Sequence, residues 1–316
     1  MSPEREDMSI LVVGSVALDT VETPFGTADS VVGGSANYFA AAASMFGRVQ
    51  VVGVIGDDYP LERLDFLVER GVDLSGVERR PGPSFSWEGR YDYDLNSRET
   101  ISTRLGVFAD FEPHIPEAFR DAHLVFLGNI DPRLQHDVLD QVSNPRLVAC
   151  DTMNYWIEGR REELLRLLSR VDILMVNDAE LRQLAGEPNL LHGARWVQAR
   201  GPDYVVVKKG EHGAILYGPD WIFFAPGYPL DEVFDPTGAG DSFAGGFIGY
   251  LSRSETPSRE ELRRAMIYGS AAGSYAVESF SVDRFRTLSS LDMARRVDEF
   301  REMTVFEHEM GVHAHG

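Results

Sequence analysis

The chain has 316 residues, 43% of them hydrophobic, a formal charge of −20 from 50 acids against 30 bases, and one cysteine. That length suits one large α/β domain with a small appendage, and the charge argues against nucleic-acid and anionic-membrane partners, which would repel it. Cys150 alone leaves no disulfide or cysteine metal site, and with no apolar run of about 18 residues and no signal-peptide pattern a soluble cytoplasmic protein is expected.

Among the bases only Lys208 and Lys209 are lysines. An acid-rich, lysine-poor surface suits a high-salt cytoplasm, where screening removes self-repulsion, although a GC-rich genome would also favour arginine.

Residues 1–7 are polar and expected to fray. Residues 9–13 (SILVV) are a continuous apolar run ended by Gly14 and Ser15, as a central parallel strand requires. An alternating segment runs through Val31, and Gly33-Gly34 then opens a small-residue helix over 35–46 with alanine at 36, 40, 41, 42 and 43. So little bulk implies close packing on a sheet or a ligand. A second buried strand is predicted at 49–55 and an amphipathic helix at 60–70.

Between 84 and 111 polar and apolar residues alternate around a turn at 94–97, which reads as antiparallel strands with one wet face. Within an otherwise parallel chain this patch is either a lid over a site or a dimer clasp. Trp87, Arg90, Tyr91, Tyr93, Asn96, Arg98 and Arg104 make it dense in groups suited to sugar stacking and hydrogen bonding, or to packing a partner.

Strand and helix then alternate, with strands at 123–128, 147–151, 173–176 and 204–208 and helices at 133–142, 161–169, 179–185 and 190–200. Cys150 falls in a buried strand and reads as a structural thiol. Repeated βα units imply a parallel sheet covered on both faces, with ligands at the carboxyl ends of its strands. A late hairpin at 213–218 and 221–225 follows, and helices at 259–278 and 290–301 end the fold. The tail 307–316, with three histidines, reads as disordered.

The stretch 234–246, FDPTGAGDSFAGG, organises the rest. Asp235-Pro236-Thr237-Gly238-Ala239-Gly240 can neither extend a strand nor sit inside a helix, so it is a tight loop delivering the chain to a helix N-terminus near residues 239–241. Free N–H groups there, with no side chain larger than methyl at three successive positions, leave room for an anion. Asp241 either caps this helix or takes a proton from an attacking hydroxyl. The phosphate loop G-x-x-x-x-G-K-[ST] is absent, as is a G-x-G-x-x-G after the first strand, which sets aside P-loop enzymes and dehydrogenases.

This string closely resembles the C-terminal signature of the ribokinase or PfkB family of carbohydrate kinases, and the likeness covers nearly the whole chain. It implies a ribokinase-like three-layer α/β/α fold with a mainly parallel central sheet and a small antiparallel β lid. The kinase domain would span 8–305, the lid about 16–32 and 84–111, and 306–316 would be the disordered tail. The implied activity is transfer of the γ-phosphoryl of ATP to a hydroxyl of a sugar or sugar-like substrate, with Mg²⁺ and in many members K⁺.

By the same resemblance Asp241 is the general base, and Gly238, Ala239 and Gly240 present N–H groups to the transferred phosphoryl. Asp235 matches an acid beside a monovalent cation, or is a turn residue before proline. Gly33 and Gly34 match the di-glycine where backbone approaches the sugar, and Asp19 the acid that grips its hydroxyls. Where the family commonly has asparagine, five places after the first glycine, this chain has Tyr38, with Asn37 one place earlier. Either Asn37 takes over or an aromatic has replaced the amide.

Asn177 and Glu180 match the N-x-x-E motif that reaches the water shell of Mg²⁺, or form an ordinary helix cap. Lys208, Lys209, Gly210 and Gly213 match the nucleotide-binding stretch, with His212 a loop residue. An adenine pocket is expected around 270–281. A homodimer through the lid is expected. The alternatives are a nucleoside kinase, in which Tyr38 and the aromatic lid stack a base, a phosphosugar kinase using Arg90, Arg98 or Arg104, and a non-catalytic sensor.

Overall fold

The computed structural model describes residues 8–95 and 97–305; the expectations for residues 1–7, Asn96 and the tail from 306 lie outside them. In chain order the strands are β1 (Ile10–Val13), β2 (Ala17–Thr23), β3 (Gly26–Gly33), β4 (Val49–Ile55), β5 (Asp73–Arg79), β6 (Phe85–Tyr91), β7 (Arg98–Arg104), β8 (Leu124–Leu127), β9 (Leu147–Asp151), β10 (Ile173–Asn177), β11 (Tyr204–Lys208), β12 (Ala214–Tyr217) and β13 (Ile222–Ala225). Nine form one sheet in the order β13-β12-β11-β10-β9-β8-β1-β4-β5. Only β11 with β12 and β12 with β13 pair antiparallel; the other pairs are parallel.

Strands β1, β4, β8 and β9 are buried along their whole length, because helices cover both faces of the sheet. The two-residue period of a strand divides the core. Ile10 and Val12 pack with the helices Ser35–Ala43, Ala239–Leu251 and Arg259–Ala276. Leu11 and Val13 face the helices Pro132–Leu139, Arg161–Leu168, Asp178–Ala185 and Leu190–Gln198. Phe39 and Phe126 stack at 4.3 Å between centroids across the first of these layers, each contributing about 1.5 to 3 kcal/mol of apolar burial. The result is the ribokinase-like fold.

The four remaining strands form a separate small sheet in the order β3-β2-β6-β7. Two antiparallel hairpins, β2 with β3 and β6 with β7, meet through a parallel pairing of β2 with β6. The two segments are far apart in sequence, so they align side by side without a hairpin turn to reverse them.

Two local expectations differ from the structure. Residues 60–70 hold a 3₁₀ turn, Leu61–Leu64, and only then a short helix, Asp65–Glu69. β5 was not expected at all: it is an edge strand, and its sequence DLSGVER, partly exposed throughout, lacks the apolar run of a central strand. Cys150 is fully buried in β9, and burial pushes its thiol up and keeps it inert.

Candidate active site

Three parallel strands end in polar side chains at their carboxyl ends: β9 in Asp151, β10 in Asn177 and β11 in Lys208. Lys208 reaches over the end of β10, which lies between the other two, and places Nζ 2.6 Å from Asp151 Oδ2. Burial alone would lower the pKa of this ammonium; Asp151, Glu180 and Asp241 around it outweigh that and raise it. Lysine 208 is therefore a fixed cation. Asp151, 5% exposed, carries no motif of its own, and sequence reasoning missed it. The available signal was an acid closing an otherwise apolar strand, LVACD.

The loop before the helix Ala239–Leu251 ends at Gly238, with φ 74°. A Cβ at Gly238 would stand 2.2 Å from the ring of Tyr38, so only glycine permits both this left-handed turn and the contact beneath it. Tyr38 is 1% exposed, and its hydroxyl has no hydrogen-bond partner among the described residues. It is the floor of the glycine corner. This corrects the expectation that Tyr38 offers a face for stacking a base: the ring is already covered by backbone. Gly240 faces Lys208, whose Nζ would lie 3.1 Å from a Cβ there. Asp241 follows in the first turn, and its pKa is raised by burial and by Asp151, against the pull of Lys208 and Arg98.

Asp19 lies on β2 at a shift in register between Asp19 and Val21, an irregularity that re-aims a side chain. Its carboxylate presses on Gly33, where a Cβ would be 1.9 Å from Oδ2. Asp19 is 4% exposed; burial first, then the charge of Asp235, push its pKa up to about 7. Gly34 caps the helix Ser35–Ala43. Asn37 donates through Nδ2 to Gly33 O at 2.6 Å and to Tyr59 Oη at 2.8 Å, so both amide hydrogens brace the di-glycine turn. Asp235 is 1% exposed. Its Oδ1 accepts from Thr237 N at 2.8 Å, while Oδ2 is buried with no partner among the described residues.

Asn177 and Glu180 form a capping box, with Glu180 N donating to Asn177 Oδ1 and Asn177 N donating to Glu180 Oε2, both at 2.8 Å. The cap does not remove Glu180 from the site. Burial, then Asp151, raise its pKa, and Lys208 opposes them. Thus Asp151, Glu180, Lys208 and Asp241 are one electrostatic cluster.

The small sheet contributes from the side. Tyr91 and Thr237 hydroxyls meet at 3.2 Å, joining β6 to the glycine loop. Arg98, itself exposed, extends its charge toward Asp241, Asp19 and Glu180. Arg90 instead pairs with Glu22 at 2.9 Å.

Beside the cluster lies a cleft of about 610 Å³ lined by Lys208, Gly210, Gly213, Gly240, Ser270 and Ser274 among others, with Asp94 and Leu95 of the β6–β7 turn at its rim. The region expected to hold a base, 270–281, does face this cleft. Lys209 does not line it; its backbone N–H donates to Gly213 O at 2.8 Å and closes the turn. Among the described residues no three His, Cys, Asp or Glu side chains converge to hold a metal ion.

An acid at a helix mouth, a fixed cation and a cleft at the carboxyl ends of a parallel sheet define a phosphotransferase acting on an alcohol group. The chain belongs to the pfkB family of carbohydrate kinases, whose profile matches residues 9–286. It is 32% identical over 252 residues to the cytidine kinase of Thermococcus kodakarensis, covering 78% of this chain and 89% of that protein. It is 32% identical over 298 residues to the aminoimidazole riboside kinase of Salmonella typhimurium, covering 85% and 88%. In fold it is similar to the fructokinase of Vibrio cholerae O395, solved with fructose, ADP and calcium, with a TM-score of 0.74 at 18% identity over 93% of this chain and 100% of that one. The homologues are kinases acting on nucleosides or sugars; the sensor alternative has no such support.

Proposed function

We propose that the chain is an ATP-dependent kinase phosphorylating the hydroxymethyl group of a riboside, a nucleoside-type substrate. The single observation that carries the chemistry is Asp241 at the mouth of the glycine corner, next to the fixed ammonium of Lys208. The ring hydroxyls of the acceptor bind Asp19 beside Gly33 and Gly34, with Asn37 bracing that turn. The triphosphate enters along the cleft from Gly210 and Gly213 to Lys208.

Asp241 removes the proton of the acceptor hydroxyl as its oxygen bonds to the γ-phosphorus and the bond to the ADP oxygen breaks. The N–H groups of Gly238 and Gly240, with Lys208, hold the charge on the moving phosphoryl, whereas the expected Ala239 N–H already donates to Pro236 O at 3.2 Å. Mg²⁺ would be held largely by phosphate oxygens and water. Glu180 and Asn177 would reach its water shell, and the ion would supply positive charge between the phosphates. Asp235 Oδ2, buried without a hydrogen-bond partner among the described residues, suits a bound K⁺.

Two relatives that are 32% identical over more than three quarters of this chain favour a riboside, since one is a cytidine kinase and the other an aminoimidazole riboside kinase by name. A phosphosugar is the second reading, because Arg98 directs a positive charge at the acids of the site. We further place the protein in the cytoplasm as a homodimer joined through the small sheet.

Assay of ATP consumption with nucleosides, free pentoses and hexoses, and phosphosugars, at low and high KCl, tests the reading. The highest kcat/KM is expected with a nucleoside. Turnover confined to phosphosugars or free sugars overturns the riboside assignment, and turnover with none overturns the kinase.

A further inference from the structure

A second and larger cavity, of about 1000 Å³, is bordered by Arg48, His123, Arg146, Ser252, Arg253 and Glu255 among others. Arg48, His123 and Arg146 each immediately precede a parallel strand, β4, β8 and β9 respectively. They therefore stand at the amino ends of the sheet, whereas Asp151, Asn177 and Lys208 close strands at the carboxyl ends. Residues 252–255 directly follow the helix Ala239–Leu251. The cavity thus lies at one end of the helix that carries Asp241 at the other, 13 residues or on the order of 20 Å away.

Its polar groups are arranged for an anion. Arg253 is held over the ring of Phe46, 5.2 Å from the centroid, and near Tyr250 at 6.0 Å. Arg146 Nη1 lies 3.3 Å from Met8 Sδ and only loosely, at 3.8 Å, from Glu255, whose side chain is 85% exposed. Arg48 is exposed at the rim. His123 Nδ1 accepts the Ser9 backbone N–H at 3.3 Å, which leaves Nε2 as the ring nitrogen that can donate. Among the described residues, three arginines and a histidine face one acid there, on a chain of net charge −20. The helix C-terminus attracts a cation within its last turn, which accounts for Arg253 but not for Arg48 and Arg146, which belong to strand starts.

We propose that this cavity is a second ligand site, distal to the reaction, for a compact multiply charged phosphate compound. Guanidinium groups match phosphate oxygens by paired hydrogen bonds. Phe46 is 7% exposed and roofed by Arg253, so no ring is offered to a nucleobase, and the ligand is a small polyanion and not a nucleotide.

Isothermal titration of the full chain with inorganic pyrophosphate tests this, with the reactive cleft first saturated by a non-hydrolysable ATP analogue. The analogue's own titration reports separately on the nucleotide cleft. One pyrophosphate per chain is expected, weakened about tenfold or more in Arg48→Glu and in Arg146→Ser. Arg301→Glu, with the same charge change on an exposed helix outside the cavity, is expected to bind as the parent does. No binding in the presence of the analogue, equal affinity in Arg48→Glu and Arg146→Ser, or an equal loss in Arg301→Glu overturns the proposal.

Discussion

The ammonium of Lys208 and the carboxylate of Asp151 lie 2.6 Å apart, tying the ends of β11 and β9 across the intervening β10. The pair is nearly buried, with side-chain exposures of 17% and 7%, and removing one member leaves an unpaired charge. Lys208→Met and Asp151→Asn are each expected to cost about 3 kcal/mol by denaturant unfolding. The double variant should cost less than the sum of the two, because neither member of this pair is then left facing the loss of the other. Strict additivity would contradict a direct pairing.

Asp19 predicts how stability follows pH. Its folded pKa of about 7 stands above the ordinary 3.8, so the folded state retains a proton that the unfolded chain releases. This contribution to stability is present below pH 3.8 and is lost as pH rises through about 7. Asp19→Asn removes its share of the slope, leaving those of Glu180 and Asp241, likewise raised to about 7, and should stabilise the ligand-free protein at pH 8 by about 2 to 4 kcal/mol, while abolishing acceptor binding. Thermal unfolding from pH 4 to 8 checks it, and parallel curves for the two proteins would refute the assignment.

Gly238→Ala would force a Cβ into the left-handed region and onto the ring of Tyr38, 2.2 Å away. A loss of about 1 to 3 kcal/mol is expected from backbone strain alone, together with loss of turnover as the N–H groups shift. Full activity in this variant would mean the corner is not the phosphoryl site.

The charge of −20 predicts that molar KCl raises the melting temperature, because screening weakens self-repulsion. A melting temperature indifferent to salt would remove the argument for salt adaptation.

How far the sequence could be read follows from which residues act locally. The loop Asp235-Pro236-Thr237-Gly238-Ala239-Gly240 was legible because proline and glycine exclude strand and helix interior at those positions, whatever surrounds them. Central strands such as β1 and β11 were legible because burial on both faces demands unbroken apolar runs. Asp151 was not, because its role depends on a lysine 57 residues away that only the sheet order brings over it. The direction of Tyr38 was likewise invisible: a helix of small residues shows that something packs closely on it, not that the glycine corner does. The edge strand β5 escaped because one partner and one wet side leave no periodic signature.

The central claim is that Asp241 takes the proton of the acceptor hydroxyl, and Asp241→Asn tests it most directly when turnover and nucleotide binding are measured on the same preparation. The account predicts a fall in kcat of about 10² to 10⁴, with affinity for a non-hydrolysable ATP analogue retained. Turnover at the parent rate, with the analogue still bound, would contradict it.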